Sequence, residues 1–153
     1  MEQDIEIKPV LPDFELDGFL PYLLAEAAQK LSRDLADIYR DSGLSTPQWR
    51  VMVHLSYSGR VSVRDIERRV SMEKSKVSRA AARLEAAGLV EKRADPVDGR
   101  LVALSLTDQG RALMARLLPR ALDYQRQLEG LLGADLNGFR HALAQLLNSE
   151  KTA

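Results

Sequence analysis

The chain has no cysteine among its 153 residues. That absence excludes disulfides, thiolate zinc sites, catalytic cysteines and cysteine-based redox sensing. Histidine is nearly as scarce. His54 and His141 are the only two, far apart in sequence and without a ligand motif around either, so a zinc site is not expected. No apolar run is longer than a few residues. The acidic segment from Met1 to Asp17 therefore reads as neither a signal peptide nor a membrane anchor, and a cytoplasmic location with no membrane partner is expected. There is no nucleophile elbow, no phosphate-binding glycine loop and no histidine–carboxylate cluster at helical spacing, so neither an enzyme nor a cofactor is expected. The chain also lacks net charge, since 22 Lys and Arg balance 22 Asp and Glu. Taken alone, that balance argues against a nucleic-acid partner.

What is present changes this. At 45% hydrophobic and 29% charged residues the composition is that of a soluble globular protein, and the length suits one compact domain with helical extensions. The neutral total hides an uneven distribution. Residues 1–45 carry a net charge of −6, residues 60–100 a net charge of +4, and the two remaining stretches +1 each. A basic segment of this kind within a neutral chain marks a local site for a polyanion.

Hydrophobic spacing sets out the elements. Residues 2–17 mix Ile5, Ile7, Val10 and Leu11 with Pro9 and Pro12 and read as an extended arm. A first helix is predicted over about 18–41, with Leu20, Leu24, Ala27, Leu31, Leu35 and Ile38 at three- and four-residue steps. Thr46-Pro47 reads as the start of a second, largely buried helix holding Trp49, Val51, Met52, Val53 and Leu55, which Gly59 ends. Ser62 is read as the cap of a short third helix, with Asp65 three residues on. Ser71 is read as the cap of a fourth helix running to about Ala87, and Gly88 as its left-handed stop. Val90–Arg93 and Leu101–Leu106 read as two strands joined by a turn at Asp98-Gly99. Thr107 caps a fifth helix, in which Pro119 should produce a kink. Gly130 and Gly133 mark a break before a last helix over about 134–148.

Two short helices, a longer helix and a β-hairpin in this order make a winged helix-turn-helix, and the expected fold class is mainly α (α+β). The second helix of such a pair lies in the major groove and offers its first turns to base edges. Those residues are Lys74, Ser75, Lys76, Ser78 and Arg79, on the face opposite Val77, Ala81 and Leu84. Arg79 suits a bidentate guanine contact, and Ser75 and Ser78 can donate or accept. Lys74 and Arg83, together with Ser62, are placed for phosphate. Arg100, at the tip of the hairpin, is the candidate for the minor groove, where arginine is attracted to narrow A·T-rich segments. The alternative is a winged helix that binds only other proteins. It predicts an apolar or acidic outer face on the fourth helix, the reverse of Lys74, Lys76, Arg79 and Arg83.

Several motifs together resemble the MarR family of bacterial transcription regulators over about residues 18–148. They are Leu44-Ser45-Thr46-Pro47-Gln48-Trp49, Ser78-Arg79, the run from Arg83 to Val90, Asp95-Pro96-Val97-Asp98-Gly99-Arg100, and Leu104 to Gly110. The resemblance implies that Ser75, Lys76, Ser78 and Arg79 face the major groove and that Arg100 reads the minor groove. It also implies that the wing arginine is supported by a carboxylate, for which Glu73 and Asp98 are the candidates. The first, fifth and sixth helices carry more leucine than a small winged domain can bury, which marks an association surface. The resemblance implies a two-fold homodimer that reads a pseudo-palindromic operator in double-stranded DNA. The expected organisation is an arm at 1–17, a helical dimerisation region at 18–45 and 107–153, and the DNA-binding lobe at 46–106. Family members are often repressors released by a small, frequently aromatic effector. The candidate contacts for one here are Tyr39, Trp49, Arg50 and His54. Members that sense oxidants use cysteine, and that route is closed to this chain.

Overall fold

The structure, a computed structural model, describes residues 8–70 and 72–150. It divides into two compact units, one up to Arg33 and one from Asp34 onward. In the first, residues 8–17 are exposed and irregular, and Phe14 meets Phe19 edge to face with ring centroids 5.0 Å apart. Helix α1 (Leu20–Tyr39) begins in this unit, where it keeps Leu20, Tyr22, Leu23 and Leu24 exposed. Ile5 and Ile7 of the expected arm lie outside the described residues.

The second unit contains the end of α1, then α2 (Thr46–Ser58), β1 (Val61–Ser62), α3 (Val63–Arg69), α4 (Lys74–Ala86), β2 (Val90–Ala94), β3 (Val102–Leu106), α5 (Asp108–Leu132) and α6 (Leu136–Asn148). Its core is one cluster in which Val51, Met52, Ile66, Val77 and Leu104 are fully inaccessible. Cutting any of the larger ones to alanine removes roughly 2–5 kcal/mol. Helices α2 and α4 meet across it, and the hairpin closes one side.

Local chemistry sets the boundaries. The start of α2 is one residue earlier than expected. Ser45 is the cap: its hydroxyl accepts from Gln48 N at 3.3 Å, and the Gln48 side chain accepts from Ser45 N at 2.9 Å. Thr46 is thereby released to bond the Tyr39 hydroxyl at 2.9 Å. Ser62 caps α3 as expected and accepts from Asp65 N at 3.1 Å. The expected cap of α4, Ser71, lies outside the described residues; the residue before the helix is Glu73, whose side chain makes no capping bond. Gly88 has φ of 75° and takes the left-handed stop that a side chain would resist.

The wing is larger than the two strands expected. Val61–Ser62 joins it at the edge, so the sheet order is β1-β3-β2, antiparallel throughout, with Val61 opposite Leu104 and Val90 opposite Leu106. Two residues are too few to show an alternating pattern, which is why β1 is invisible in sequence. Gly99 does not take the positive φ of a tight Asp-Gly turn. The loop is closed by Asp95 instead: its carboxylate accepts from Val97 N at 2.8 Å and Asp98 N at 3.1 Å, and its own N–H donates to Leu101 O at 2.9 Å.

Helix α5 runs unbroken for 25 residues through Pro119, and Gly130, an expected break, lies inside it. The break comes at Gly133, where φ is 53° and a 3-10 turn leads into α6. Two side chains of α5 fasten it to the end of α1. Arg120 donates to Ile38 O at 2.9 Å, and the Tyr124 hydroxyl donates to Asp34 Oδ2 at 2.8 Å. Burial, with the bond to Asp34 and its charge, pushes the Tyr124 hydroxyl up to about 12.

Candidate nucleic-acid interface

Helix α4 has two faces of opposite character. Val77, Ala80, Ala81 and Leu84 are buried against the core, while Lys74, Ser75, Lys76, Ser78, Arg79 and Arg83 are all exposed. The split follows from helical spacing, since residues three and four apart share a face. The start of the helix departs from normal practice. It has no acidic residue in its first turn and no side-chain cap, and instead carries Lys74 and Lys76 beside its unsatisfied N–H groups. Cations at a helix N-terminus are unfavourable in isolation. They suit a surface that receives an anion, and a local rule broken in this way is expected at functional sites.

Two shallow grooves line this face. One lies between the start of α2 and the outer side of α4, against Ser45, Pro47, Lys76, Arg79 and Arg83. The other lies beside it, against Thr46, Pro47, Arg50, Glu73 and Lys76. Arg50 and the α2 start were not among the residues expected at DNA; they reach this face because α2 packs across α4, which spacing within α4 cannot reveal.

The wing tip holds Arg100 out into solvent, its side chain 91% exposed. Its partner is Asp98, which accepts from Arg100 Nε at 3.1 Å, Nη2 at 3.3 Å and the backbone N at 3.1 Å. The Arg100 guanidinium, then its N–H, hold the Asp98 carboxyl below its ordinary range. No ion pair joins Glu73 to Arg100, so of the two expected supports only Asp98 pairs with the wing arginine. Glu73 sits at the start of α4 instead. Ser62, expected at phosphate, is only 5% exposed, and its hydroxyl is committed to capping α3.

Three of the four candidate effector residues line one cavity, and the fourth stacks on one of the three. Tyr39 is buried and stacks on Trp49 with ring centroids 4.9 Å apart and an interplanar angle of 12°. It is not among the residues that line the cavity of the other three. Trp49, Arg50 and His54 do come together, with Val53 and Tyr57 of α2 and Arg69 and Val70 at the end of α3, around a cavity of about 490 Å³. His54 Nε2 is buried there without a hydrogen-bond partner. Burial, aided by the Arg69 charge and opposed by Asp65, holds the imidazole below its ordinary value. A second cavity of about 490 Å³ lies between α2, β3 and α5, with Arg60 and Arg111 beside Leu55, Ser56, Ser105 and Met114. Sequence reading missed it because its two arginines come from distant elements and belong to no motif.

Among the described residues no group of three or more His, Asp or Glu is placed to hold a metal, and no helix is long and apolar enough to cross a membrane.

Comparison with known proteins bears on this architecture. The model of the MarR family matches residues 42–101, from the approach to α2 through the wing. The HTH-type transcriptional repressor Mb2911 of Mycobacterium bovis is 30% identical over 132 residues, covering 85% of this chain and 94% of its own. The crystal structure of the MarR family transcriptional regulator SPO1453 from Silicibacter pomeroyi is 31% identical, with a TM-score of 0.76 over 89% of this chain and all of that one. The chain belongs to the MarR family. Membership makes it a DNA-binding transcriptional regulator, with α3 and α4 as the helix-turn-helix and the three-stranded sheet as the wing. A further similar structure is that of BpsR from Bordetella bronchiseptica, whose DNA binding is regulated by 6-hydroxynicotinic acid. It is 26% identical with a TM-score of 0.78, over 91% of this chain and all of that one.

Proposed function

We propose that this MarR regulator is a repressor that binds a pseudo-palindromic operator as a homodimer and leaves it when a small aromatic effector binds. The observation that carries the DNA reading is the exposed face of α4, where Ser75, Lys76, Ser78 and Arg79 stand together with no carboxylate in the first helical turn. In this reading those four side chains enter the major groove, with Arg79 bidentate to a guanine. Lys74 and Arg83 take phosphates on either side. Arg100, held by Asp98, enters the adjoining minor groove.

The dimer is supported by apolar side chains that a single copy leaves in water. Leu131 and Leu147 are 82% and 84% exposed, and Leu122, Phe139 and Leu146 are exposed on the same two helices. A two-fold pair of such regulators reads half-sites about one helical turn apart. Residues 18–45 and 107–153 thus serve as the dimerisation region and 46–106 as the reading lobe.

The effector reading is supported by the cavity between α2, β3 and α5. It spans the reading lobe and the helix that carries the exposed leucines, and it sets Arg60 and Arg111 over an apolar floor. That combination suits an aromatic acid, and 6-hydroxynicotinic acid acts on the similar BpsR. A ligand here shifts DNA affinity only if it binds the two conformations unequally.

Selection of bound duplexes from a random pool, followed by gel shift, tests the DNA reading. A two-fold consensus is expected, with affinity falling steeply as salt rises. Recovery of no consensus would count against sequence-specific binding.

A further inference from the structure

We propose that Val97, at the tip of the wing, is a specificity-determining residue: it packs its methyl groups against the floor of the operator's minor groove and rejects a guanine there. The inference rests on the reading of Arg100 as a minor-groove arginine. It goes beyond that reading by giving a base preference to an uncharged neighbour.

At 95%, Val97 is the most exposed large apolar side chain among the described residues. Exposure of a single apolar group is ordinary. Here, however, the backbone beneath it is braced. Val97 N donates to Asp95 Oδ1 at 2.8 Å, Asp98 N donates to the same oxygen at 3.1 Å, and Leu101 N donates to Asp98 O at 2.9 Å. Pro96, with its fixed φ, comes just before it. Valine is branched at Cβ and has few rotamers to lose. The tip thus holds an apolar group in water in a form that costs little to immobilise on a partner.

The neighbours of Val97 sort by charge. Asp95 and Asp98 are half-buried and engaged, Asp95 with the backbone of the turn and Asp98 with Arg100. Val97 and Arg100 are exposed. The tip therefore offers DNA one cation and one apolar group, and keeps its carboxylates in structural bonds.

The groove supplies the selectivity. In the minor groove A·T and T·A pairs show only acceptors, whereas G·C adds the guanine N2 amino group. A methyl group cannot accept from that amino group. Packed over it, the valine strips its water without replacing the bond, and a donor left unpaired in this way is costly. The amino group also stands up from the floor and takes the space the methyl groups fill over A·T. Apolar side chains are a recurring means of engaging the minor groove. Arg100 responds to the width and potential of the groove; Val97 responds to the base edge.

Base analogues that alter one groove alone test this. An inosine·cytosine pair keeps the major-groove face of G·C and lacks the minor-groove amino group. A diaminopurine·thymine pair keeps the major-groove face of A·T and adds that group. Each pair flanking the half-sites of a selected operator duplex is exchanged in turn, and gel shifts are read with the full-length protein. At one pair per half-site, A·T and inosine·cytosine should bind alike, and G·C and diaminopurine·thymine about 5-fold more weakly. Val97→Thr keeps the shape and adds a hydroxyl that accepts from the amino group, so it should erase the penalty. Val97→Ala should weaken the A·T operator about 5-fold, part of what full burial of a valine yields. The dependence of its affinity on salt should keep the wild-type slope, whereas Arg100→Ala should make that slope shallower. Both Val97 variants should melt like the wild type, since the side chain lies in water.

A scan in which diaminopurine is penalised at no flanking pair overturns the proposal. So does a penalty that persists unchanged in Val97→Thr, which assigns it to Arg100 or to groove width. A loss in Val97→Ala that comes with a shallower salt slope overturns the apolar contact. If Arg100→Ala binds like the wild type, the minor-groove role of that arginine falls; a penalty erased by Val97→Thr would still place Val97 in the groove, and its absence removes both. Failure of every duplex to bind removes the role of Val97 along with the operator.

Discussion

Thr107 donates from Oγ1 to the Gly88 carbonyl at 2.6 Å, and so ties the first residue before α5 to the exit of α4. The same oxygen accepts from Gly110 N at 3.0 Å, capping α5, and Thr107 N donates to Leu89 O at 3.1 Å. The approach is close enough to require glycine at 110, where an added Cβ would fall 2.0 Å from Leu89 O. Backbone atoms on both sides leave little room to yield.

Gly110→Ala is therefore expected to destabilise the fold by about 1–3 kcal/mol or more, the range for forced overpacking. A thermal melt followed by circular dichroism measures it. An unchanged melting temperature would mean that α5 slides without cost, contrary to the tight junction. Operator affinity should fall as well, since the junction holds the end of the reading helix.

Arg79→Ala and Arg100→Ala are expected to differ in kind. Loss of Arg79 should cost about 1–3 kcal/mol of operator binding and relax the preference at one base pair in each half-site. A uniform loss over all sequences would remove its direct-readout role. Loss of Arg100 should weaken binding and leave the melting curve in place, because the side chain is almost wholly in solvent. Gel shifts on a panel of operator variants separate the two.

The Asp98–Arg100 pair gives a pH dependence whose sign is fixed. Asp98 is held below its ordinary value of 3.8, chiefly by the Arg100 guanidinium and then by the Arg100 N–H. A carboxyl depressed in the fold contributes its part above the unfolded value and gives it up as pH falls through the folded one. The wing arginine should thus stay tethered at all neutral and mildly acidic pH and come free only below 3.8. An NMR titration of the Asp98 carboxyl should give a midpoint below that value, and Asp98→Asn should free Arg100 at pH 7. A midpoint above it would mean that the pair does not form in solution.

Leu131→Asp combined with Leu147→Asp should turn the proposed dimer into a monomer. Light scattering at micromolar concentration should move from twice 17.1 kDa to 17.1 kDa. A wild-type chain that already scatters as a monomer would remove the dimer from the reading. The double variant should keep its far-ultraviolet spectrum, because both side chains lie in water in one copy.

What was legible in sequence depended on whether the signal was local. Ser62, Gly88 and Thr107 announced their roles because a cap or a left-handed stop is decided within four residues. The outer face of α4 followed from helical spacing alone. Ser45 was passed over for Thr46 because both hydroxyls precede Pro47, and only Gln48, bonding back to the Ser45 N–H, decides between them. Gly99 misled because Asp95, four residues earlier, closes the wing in its place. One cavity was partly legible, since Trp49, Arg50 and His54 share a helix, but Arg69 joins them, and Arg60 meets Arg111 in the other, only once separate stretches have packed.

The unbroken course of α5 has a mechanical meaning. A 25-residue helix extends about 37 Å along its axis, so a tilt of about 5° at one end displaces the other by about 3 Å. One end is locked to the exit of α4 through Thr107 and Gly110, and the far turns carry Leu131. In the proposed dimer two such rods hold the reading helices apart, and 3 Å is close to the roughly 3.4 Å rise between successive phosphates of one DNA strand. A modest change of angle at the dimer contact is thus enough to put the two heads out of step with the pitch of the double helix.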